Sequence, residues 1–192
     1  MAYQTYTTRA LVLNTYERTG PDKTVQLFTE STGMLYARAV GVRNEKSKMR
    51  YALQPFSLVL VTLVRGKVEW RIIGVESMRN IFFDAKSRIA RSQVSECVKL
   101  IERFVKGEER HTRLYTLLED GILHISNDPS PDALLALRLR LLHELGYVSS
   151  NDACKAICFA DTLGDAIQTL TETDSHTEAE KSVASALTVS HL

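Results

Sequence analysis

Two hydrophobic periodicities divide the chain near residue 80. Before that point, apolar and β-branched residues occur in short runs that alternate with polar ones, which is typical of half-buried β-strands. After it, apolar residues recur every three or four positions, which is typical of amphipathic helices. We therefore predict an α+β protein with a β-domain over residues 1–80 and a helical domain over residues 81–192.

The first domain contains five predicted strands, separated by short turn-forming stretches rich in glycine. They cover Arg9–Tyr16, Thr24–Thr29, Met34–Val40, Phe56–Val64 and Val68–Val75. In the last of them, Val68, Trp70 and Ile72 are expected to share one face, and Glu69 and Arg71 the other. Five short strands in this length predict a closed five-stranded barrel of the oligonucleotide-binding (OB) class, because closure leaves no exposed strand edge.

The second domain is predicted to contain helices near 89–105, 109–125 and 130–145, and a last one from Thr177. Ser130 is placed to cap the third helix, with Pro131 at its first position. Between residues 147 and 176 the pattern indicates only a short helix near 163–170.

Charge is distributed unevenly over the two domains. Residues 1–80 carry 12 basic and 6 acidic residues, whereas residues 81–192 carry 12 basic and 17 acidic ones. Cations are concentrated on the third strand and on the long connection that follows it, and three more occur earlier in the chain; they are Arg38, Arg43, Lys46, Lys48 and Arg50, with Arg9, Arg18 and Lys23. Such a set can follow a sugar-phosphate backbone, although a basic loop is also compatible with a solvated surface. Tyr36 shares a strand face with Arg38 and is a candidate for base stacking, whereas Trp70 is expected in the core.

Metal and enzyme chemistry find little support in the sequence. Cys154 and Cys158 form one thiol pair, whereas a structural zinc site needs four ligands. We expect no cofactor, and Cys97 is expected in the helical core. Phosphate-loop, dinucleotide, HExxH and GxSxG motifs are all missing from the sequence, so we predict that the protein is not an enzyme. With 44% hydrophobic residues, no apolar run of membrane length and no secretory segment, a reduced cytoplasm is the expected location.

Several short motifs resemble those of the recombination protein O (RecO) family. They are Gly41-Val42-Arg43, Ser47 and Ala52-Leu53-Gln54-Pro55-Phe56, preceded by Ala10–Leu13, Leu27–Glu30 and Gly33, and followed by Leu145-Gly146-Tyr147. The resemblance covers residues 8–150. It departs from the family where many relatives carry a four-cysteine zinc module, because only Cys154 and Cys158 are present.

The resemblance implies an OB barrel followed by a helical domain in a bacterial, nucleoid-associated DNA-repair protein. It implies binding to single- and double-stranded DNA, annealing of complementary strands, and loading of RecA. The implied protein partners are RecR and the acidic tail of single-strand-binding protein. Basic residues of the second domain are candidates for that tail: Arg110, Arg113, Arg138 and Arg140.

Three other functions are also compatible with the sequence. The barrel could serve as a protein-interaction adaptor without intrinsic DNA binding, it could bind RNA, or it could hold an unfamiliar enzyme site. Salt-dependent binding of a labelled oligonucleotide separates the first of these from a DNA-binding mediator.

Overall fold

The computed structural model describes residues 4–149, 152–173 and 175–189. Its contacts group the chain into two compact units. The first comprises the residues up to Asp84 together with Val105–Thr112, and the second comprises the remainder.

The first unit contains five strands that form a closed barrel with the order β1-β2-β3-β5-β4. The strands are β1 (Thr5–Glu17), β2 (Lys23–Thr29), β3 (Gly33–Ala39), β4 (Ser57–Arg65) and β5 (Trp70–Asn80). All neighbours are antiparallel except β3 and β5, which pair in parallel with Ala37 opposite Trp70. This order confirms the predicted OB-type fold.

Alternation along the strands fills the barrel with aliphatic side chains. Val59, Val61 and Leu63 of β4 are fully buried, while Leu60 between them is exposed. On β5, Trp70 is buried as predicted and Ile72 is buried with it, and the Trp70 ring packs edge-on against Tyr6 with a centroid distance of 5.4 Å.

Val68 does not share the buried face of Trp70 and Ile72, so this part of the prediction is wrong. The β4–β5 hairpin turns over residues 66–69, and Val68 at its tip is 97% exposed. Period-two alternation cannot locate the end of a strand when the turn itself contains a β-branched residue.

The connection between β3 and β4 contributes to the barrel core at both of its ends. It contains a short helix, α1 (Met49–Ala52), which the sequence did not predict. Val42 and Leu53 are buried in the same cluster as the strand residues. The polar middle of the connection is therefore held between two buried apolar residues.

Residues 105–112 close another part of the first unit. The Gly107 carbonyl accepts a hydrogen bond from the Met34 amide at 3.0 Å, and Glu108 accepts one from the Trp70 indole at 2.9 Å. Gly33 has a positive φ of 75°, and a β-carbon placed there would lie 2.0 Å from the Glu109 carbonyl oxygen. Only glycine fits this close approach.

A short helix, α2 (Ile81–Asp84), follows β5, and six longer elements follow it: α3 (Arg88–Phe104), α4 (Thr112–Asn127), α5 (Pro131–Glu144), α6 (Asp152–Cys158), α7 (Leu163–Glu172) and α8 (His176–Val189). Ser130 caps α5 as predicted, accepting from the Ala133 amide at 3.0 Å. Neither α2 nor α6 was predicted. Among the described residues, no helix combines the length and hydropathy that crossing a bilayer requires.

Candidate nucleic-acid interface

The β3–β4 connection displays the exposed cations that the sequence analysis singled out. Arg43, Lys46, Lys48 and Arg50 all have exposed side chains. Within the described part of the chain, Lys46 and Lys48 have no ion-pair partner. The two lysines are therefore available to a phosphate group without first breaking a salt bridge.

The two arginines of this connection lie beside a cation from β2. Lys23, Arg43 and Arg50 line one depression of about 440 Å³, together with Glu17 and Glu45. Arg43 donates to the Gly20 carbonyl at 3.3 Å, and its Nη1 lies 3.8 Å from Glu17. Three of the predicted residues are thus brought together, in partly acidic surroundings.

Other predicted cations belong to an ion-pair network on the barrel. Arg38 Nε donates to Asp22 Oδ2 at 2.7 Å, and Arg38 Nη1 lies 3.4 Å from Glu69. Glu69 also accepts from Arg18 at 2.7 Å. Because each guanidinium already has a carboxylate partner, a phosphate must compete with Glu69 or Asp22 to bind either arginine.

Arg9 forms a bidentate ion pair with Glu30. Its Nε and Nη2 donate to the two carboxylate oxygens of Glu30 at 3.0 and 2.9 Å. This fork geometry joins β1 to the turn after β2. Arg9 therefore has a structural role in the barrel, separate from the exposed cations.

These pairs lower the pKa of their carboxyl groups. The pKa of Asp22 is lowered first by the hydrogen bond from the Gly41 amide and then by Arg38. The pKa of Glu30 is lowered chiefly by the hydrogen bonds from Arg9. Both ionised carboxylates are therefore more stable in the folded protein than in the unfolded chain.

A pH-dependent stability follows from these lowered pKa values. The stabilisation is complete above the pKa values of the unfolded carboxyls, about 4, and is lost as the pH falls through the lower folded values. We expect the free energy of unfolding, measured with urea, to decrease between about pH 5 and about pH 3. The decrease should be smaller in Asp22→Asn than in the wild type. Asp128→Asn, at an exposed carboxyl outside the barrel, should behave like the wild type; an equal effect of the two substitutions would contradict the assignment.

Two tyrosines form an exposed aromatic pair near Arg38. Tyr36 is 52% exposed, and its ring centroid lies 6.3 Å from that of Tyr16, which is 44% exposed. The Tyr16 hydroxyl donates to Gln26 at 2.9 Å and so holds its ring in place. Aromatic faces presented in this way can stack on nucleic-acid bases. The sequence analysis did not identify Tyr16, because the proximity of a β1 residue to a β3 residue depends on the strand register, which the sequence does not give.

The β4–β5 hairpin also has an exposed surface that sequence reasoning missed. A groove of about 560 Å³ is lined by three aliphatic side chains and three cations, Val64, Val68, Ile73, Arg18, Lys67 and Arg71. The two cations of Arg65-Gly66-Lys67 are the feature of the sequence that indicates this surface.

The four candidate arginines for a protein partner have different surroundings. Arg110 belongs to the segment that completes the barrel unit, and its Nε donates to Thr112 at 2.9 Å. Arg113 pairs with Glu144 at 3.2 Å, and Arg138 pairs with Glu96. Arg140 is 4% exposed; its Nη2 donates to the Ala160 carbonyl, and its Nε has no hydrogen-bond partner among the described residues. Arg140 is therefore buried, whereas Arg113 and Arg138 are each already paired with a glutamate.

The cysteines are buried thiols. Cys97 lies on the apolar face of α3, and burial raises its pKa to about 12. Burial also raises the pKa of Cys154, and that of Cys158 to about 11. Among the described residues, no three potential metal ligands lie together.

A closed OB-type barrel with basic connections, followed by a helical unit, defines the structural class of this protein. The chain matches a family model described as Recombination protein O N terminal over residues 1–76, and one described as Recombination protein O C terminal over residues 92–185. The chain belongs to the Recombination protein O family, and the resemblance found in its sequence motifs is confirmed.

Curated relatives agree with this assignment. The protein named DNA repair protein RecO from Caldanaerobacter subterraneus is 29% identical over 158 residues, which are 79% of this chain and 62% of the relative. The proteins of the same name from Myxococcus xanthus and Thermoanaerobacter are 28% and 30% identical, over 78% and 77% of this chain and 62% and 60% of their own lengths. The chain thus spans about three fifths of the length of these relatives.

Proposed function

We propose that this protein is a DNA-binding recombination mediator that acts in DNA repair. The observation that carries the proposal is a pair of exposed lysines, Lys46 and Lys48, on the long β3–β4 connection of an OB-type barrel; no described residue forms an ion pair with either of them. Membership of the family supports it, since the relatives are named for DNA repair. The proposed location is the bacterial cytoplasm, at the nucleoid.

The proposed activity is annealing of complementary single strands. Cations on the barrel neutralise phosphates and allow two strands to approach, and base pairing then supplies the free energy. This process needs no bond-making residue and no cofactor. We accordingly propose that the protein is not an enzyme and acts without zinc.

The proposed protein partners follow from the family resemblance. The protein would cooperate with RecR to load RecA, and its helical unit would contact the acidic tail of single-strand-binding protein. Because Arg113 and Arg138 already pair with glutamates, the tail must displace those partners or use other groups.

An adaptor without intrinsic DNA binding is the alternative, and the exposed aliphatic side chains of the β4–β5 groove favour it. Such side chains also occur at protein-binding surfaces.

Binding of a fluorescently labelled single strand at two salt concentrations tests the proposal. We expect the affinity to fall by at least about tenfold between roughly 50 and 200 mM salt, because counterions released from the phosphates drive binding. Annealing of labelled complementary strands should accelerate in the presence of the protein. Absence of binding at low salt would favour the adaptor.

A further inference from the structure

The second unit contains a small pocket formed by α4, α5 and the connection between α6 and α7. Its volume is about 290 Å³, and its lining includes Arg140, Asp120, Asp161 and the first residues of α7. All of these residues belong to the same compact unit. The volume is close to the lower limit for small-molecule sites, so the pocket suits a ligand of only a few non-hydrogen atoms.

Arg140 is a buried cation on the wall of this pocket. Its side chain comes from α5 and is 4% exposed. Among the described residues, its Nη2 donates to the Ala160 carbonyl at 2.5 Å, its Nε has no acceptor, and no carboxylate forms an ion pair with it. Burial lowers the pKa of Arg140, so its surroundings disfavour the charged form. Because arginine stays protonated in proteins, an anionic group of a ligand would stabilise it.

The first turn of α7 adds two backbone donors to the same pocket. Thr162 is the N-cap of this ten-residue helix, and its hydroxyl accepts from the Asp165 amide at 3.1 Å. The amides of Leu163 and Gly164 precede that bond and have no acceptor within the helix, and both residues line the pocket. Amides at a helix N-terminus bind anions. Together with Arg140 they are suited to one carboxylate group.

Two acidic residues of the pocket favour a positive group on the same ligand. Asp120 of α4 and Asp161 before α7 have exposed side chains that line the pocket. In the part of the chain that the structure describes, neither of them forms an ion pair. A simple anion beside Arg140 would also face these two negative charges, whereas an ammonium group on the ligand would be attracted by them. The complementary ligand therefore carries both charges.

We propose that this pocket binds a free α-amino acid as its zwitterion. The carboxylate pairs with Arg140 and with the amides at the start of α7, and the ammonium group pairs with Asp120 and Asp161. Binding supplies the buried guanidinium with an anion, and it thereby stabilises the contact between α5 and the α6–α7 connection. The site lies within the helical unit and does not depend on DNA binding by the barrel.

Thermal unfolding and isothermal titration calorimetry of the full-length protein test the proposal. The probes are the standard L-amino acids, each added separately. Acetate, inorganic phosphate and ethylamine serve as probes that carry one type of charge. An acidic peptide with a free carboxyl terminus represents the tail of a protein.

We expect at least one amino acid to raise the unfolding temperature and to bind with a dissociation constant of about 1 mM or lower. The single-charge probes should bind at least about tenfold more weakly, because each lacks one of the two pairs. Arg140→Met should weaken binding of the amino acid by at least about tenfold. It should not lower the unfolding temperature of the protein without ligand, because it removes a buried unpaired charge.

A second variant tests the other end of the ligand at exposed positions, where the fold is kept. Asp120→Asn combined with Asp161→Asn should weaken binding of the amino acid about fivefold. Asp128→Asn is the matched control, because Asp128 is an exposed carboxyl of the same unit that does not line the pocket. The control should bind like the wild type.

Absence of binding by every amino acid, or equal binding of acetate or phosphate, would overturn the proposal. So would an unchanged affinity in either folded variant. Tighter binding of the acidic peptide than of any amino acid would assign the pocket to a protein tail and would also overturn it. None of these outcomes bears on the binding of DNA by Lys46 and Lys48, which is measured separately.

Discussion

Replacing Gly33 by alanine should destabilise the barrel by about 3 kcal/mol, combining the strain of a left-handed backbone with overpacking. The added β-carbon would lie 2.0 Å from the carbonyl oxygen of Glu109, so the backbone of the 105–112 segment must move. That movement also disturbs the hydrogen bond between Met34 and Gly107. Urea unfolding followed by fluorescence measures the effect, because Trp70 is the single tryptophan and reports on this unit.

Gly20→Ala provides the control for backbone strain alone. Gly20 has a similar φ of 79°, and, apart from Gly20 and its two chain neighbours, no atom of the described residues lies within 4 Å of the added β-carbon. We expect it to cost only about 1 kcal/mol. Equal costs at the two glycines would show that the contact with Glu109 does not matter.

Reversing both loop lysines, Lys46→Glu with Lys48→Glu, should weaken binding of a single strand roughly thirtyfold at low salt, because two attractive charges become repulsive. The slope of log affinity against log salt should decrease by about 1.4, the value for two lost phosphate contacts on a single strand. A fluorescence anisotropy titration at several salt concentrations measures both quantities.

Net charge alone must be excluded as the cause. Lys99→Glu with Lys155→Glu changes the total charge equally, at exposed positions of α3 and α6. This control should retain most of the wild-type affinity. A loss as large as that of the loop variant would mean that DNA responds to overall charge and not to the β3–β4 connection.

Much of the fold follows from local patterns. Trp70 was correctly expected in the barrel core, and Ser130 correctly marked the start of α5. The errors occur where the pattern is short. The four-residue helices α1 and α2 have no full amphipathic period, and Val68 lies in a turn although its side chain favours strands.

The site was harder to predict from the sequence than the fold. The charge of a residue is known from the sequence, but its ion-pair partners depend on contacts between distant positions. Arg38 looked like a free cation, but strand register and a connecting loop bring it to Asp22 and Glu69, which are 16 and 31 residues away. Lys46 and Lys48 lie in a loop, where local composition is a better guide to exposure. The hairpin groove requires the twist of two strands, which no motif encodes.

The segment Val105–Thr112 has a consequence for how the protein is made. During translation, all five barrel strands are synthesised before Glu108 and Glu109, and the whole of α3 is synthesised in between. Until then the Trp70 indole lacks the carboxylate to which it donates, and Gly33 lacks the backbone against which it packs. The nascent barrel is therefore completed only after α3 has been synthesised, and a gene fragment that ends at Asp84 would encode a barrel without its final contacts.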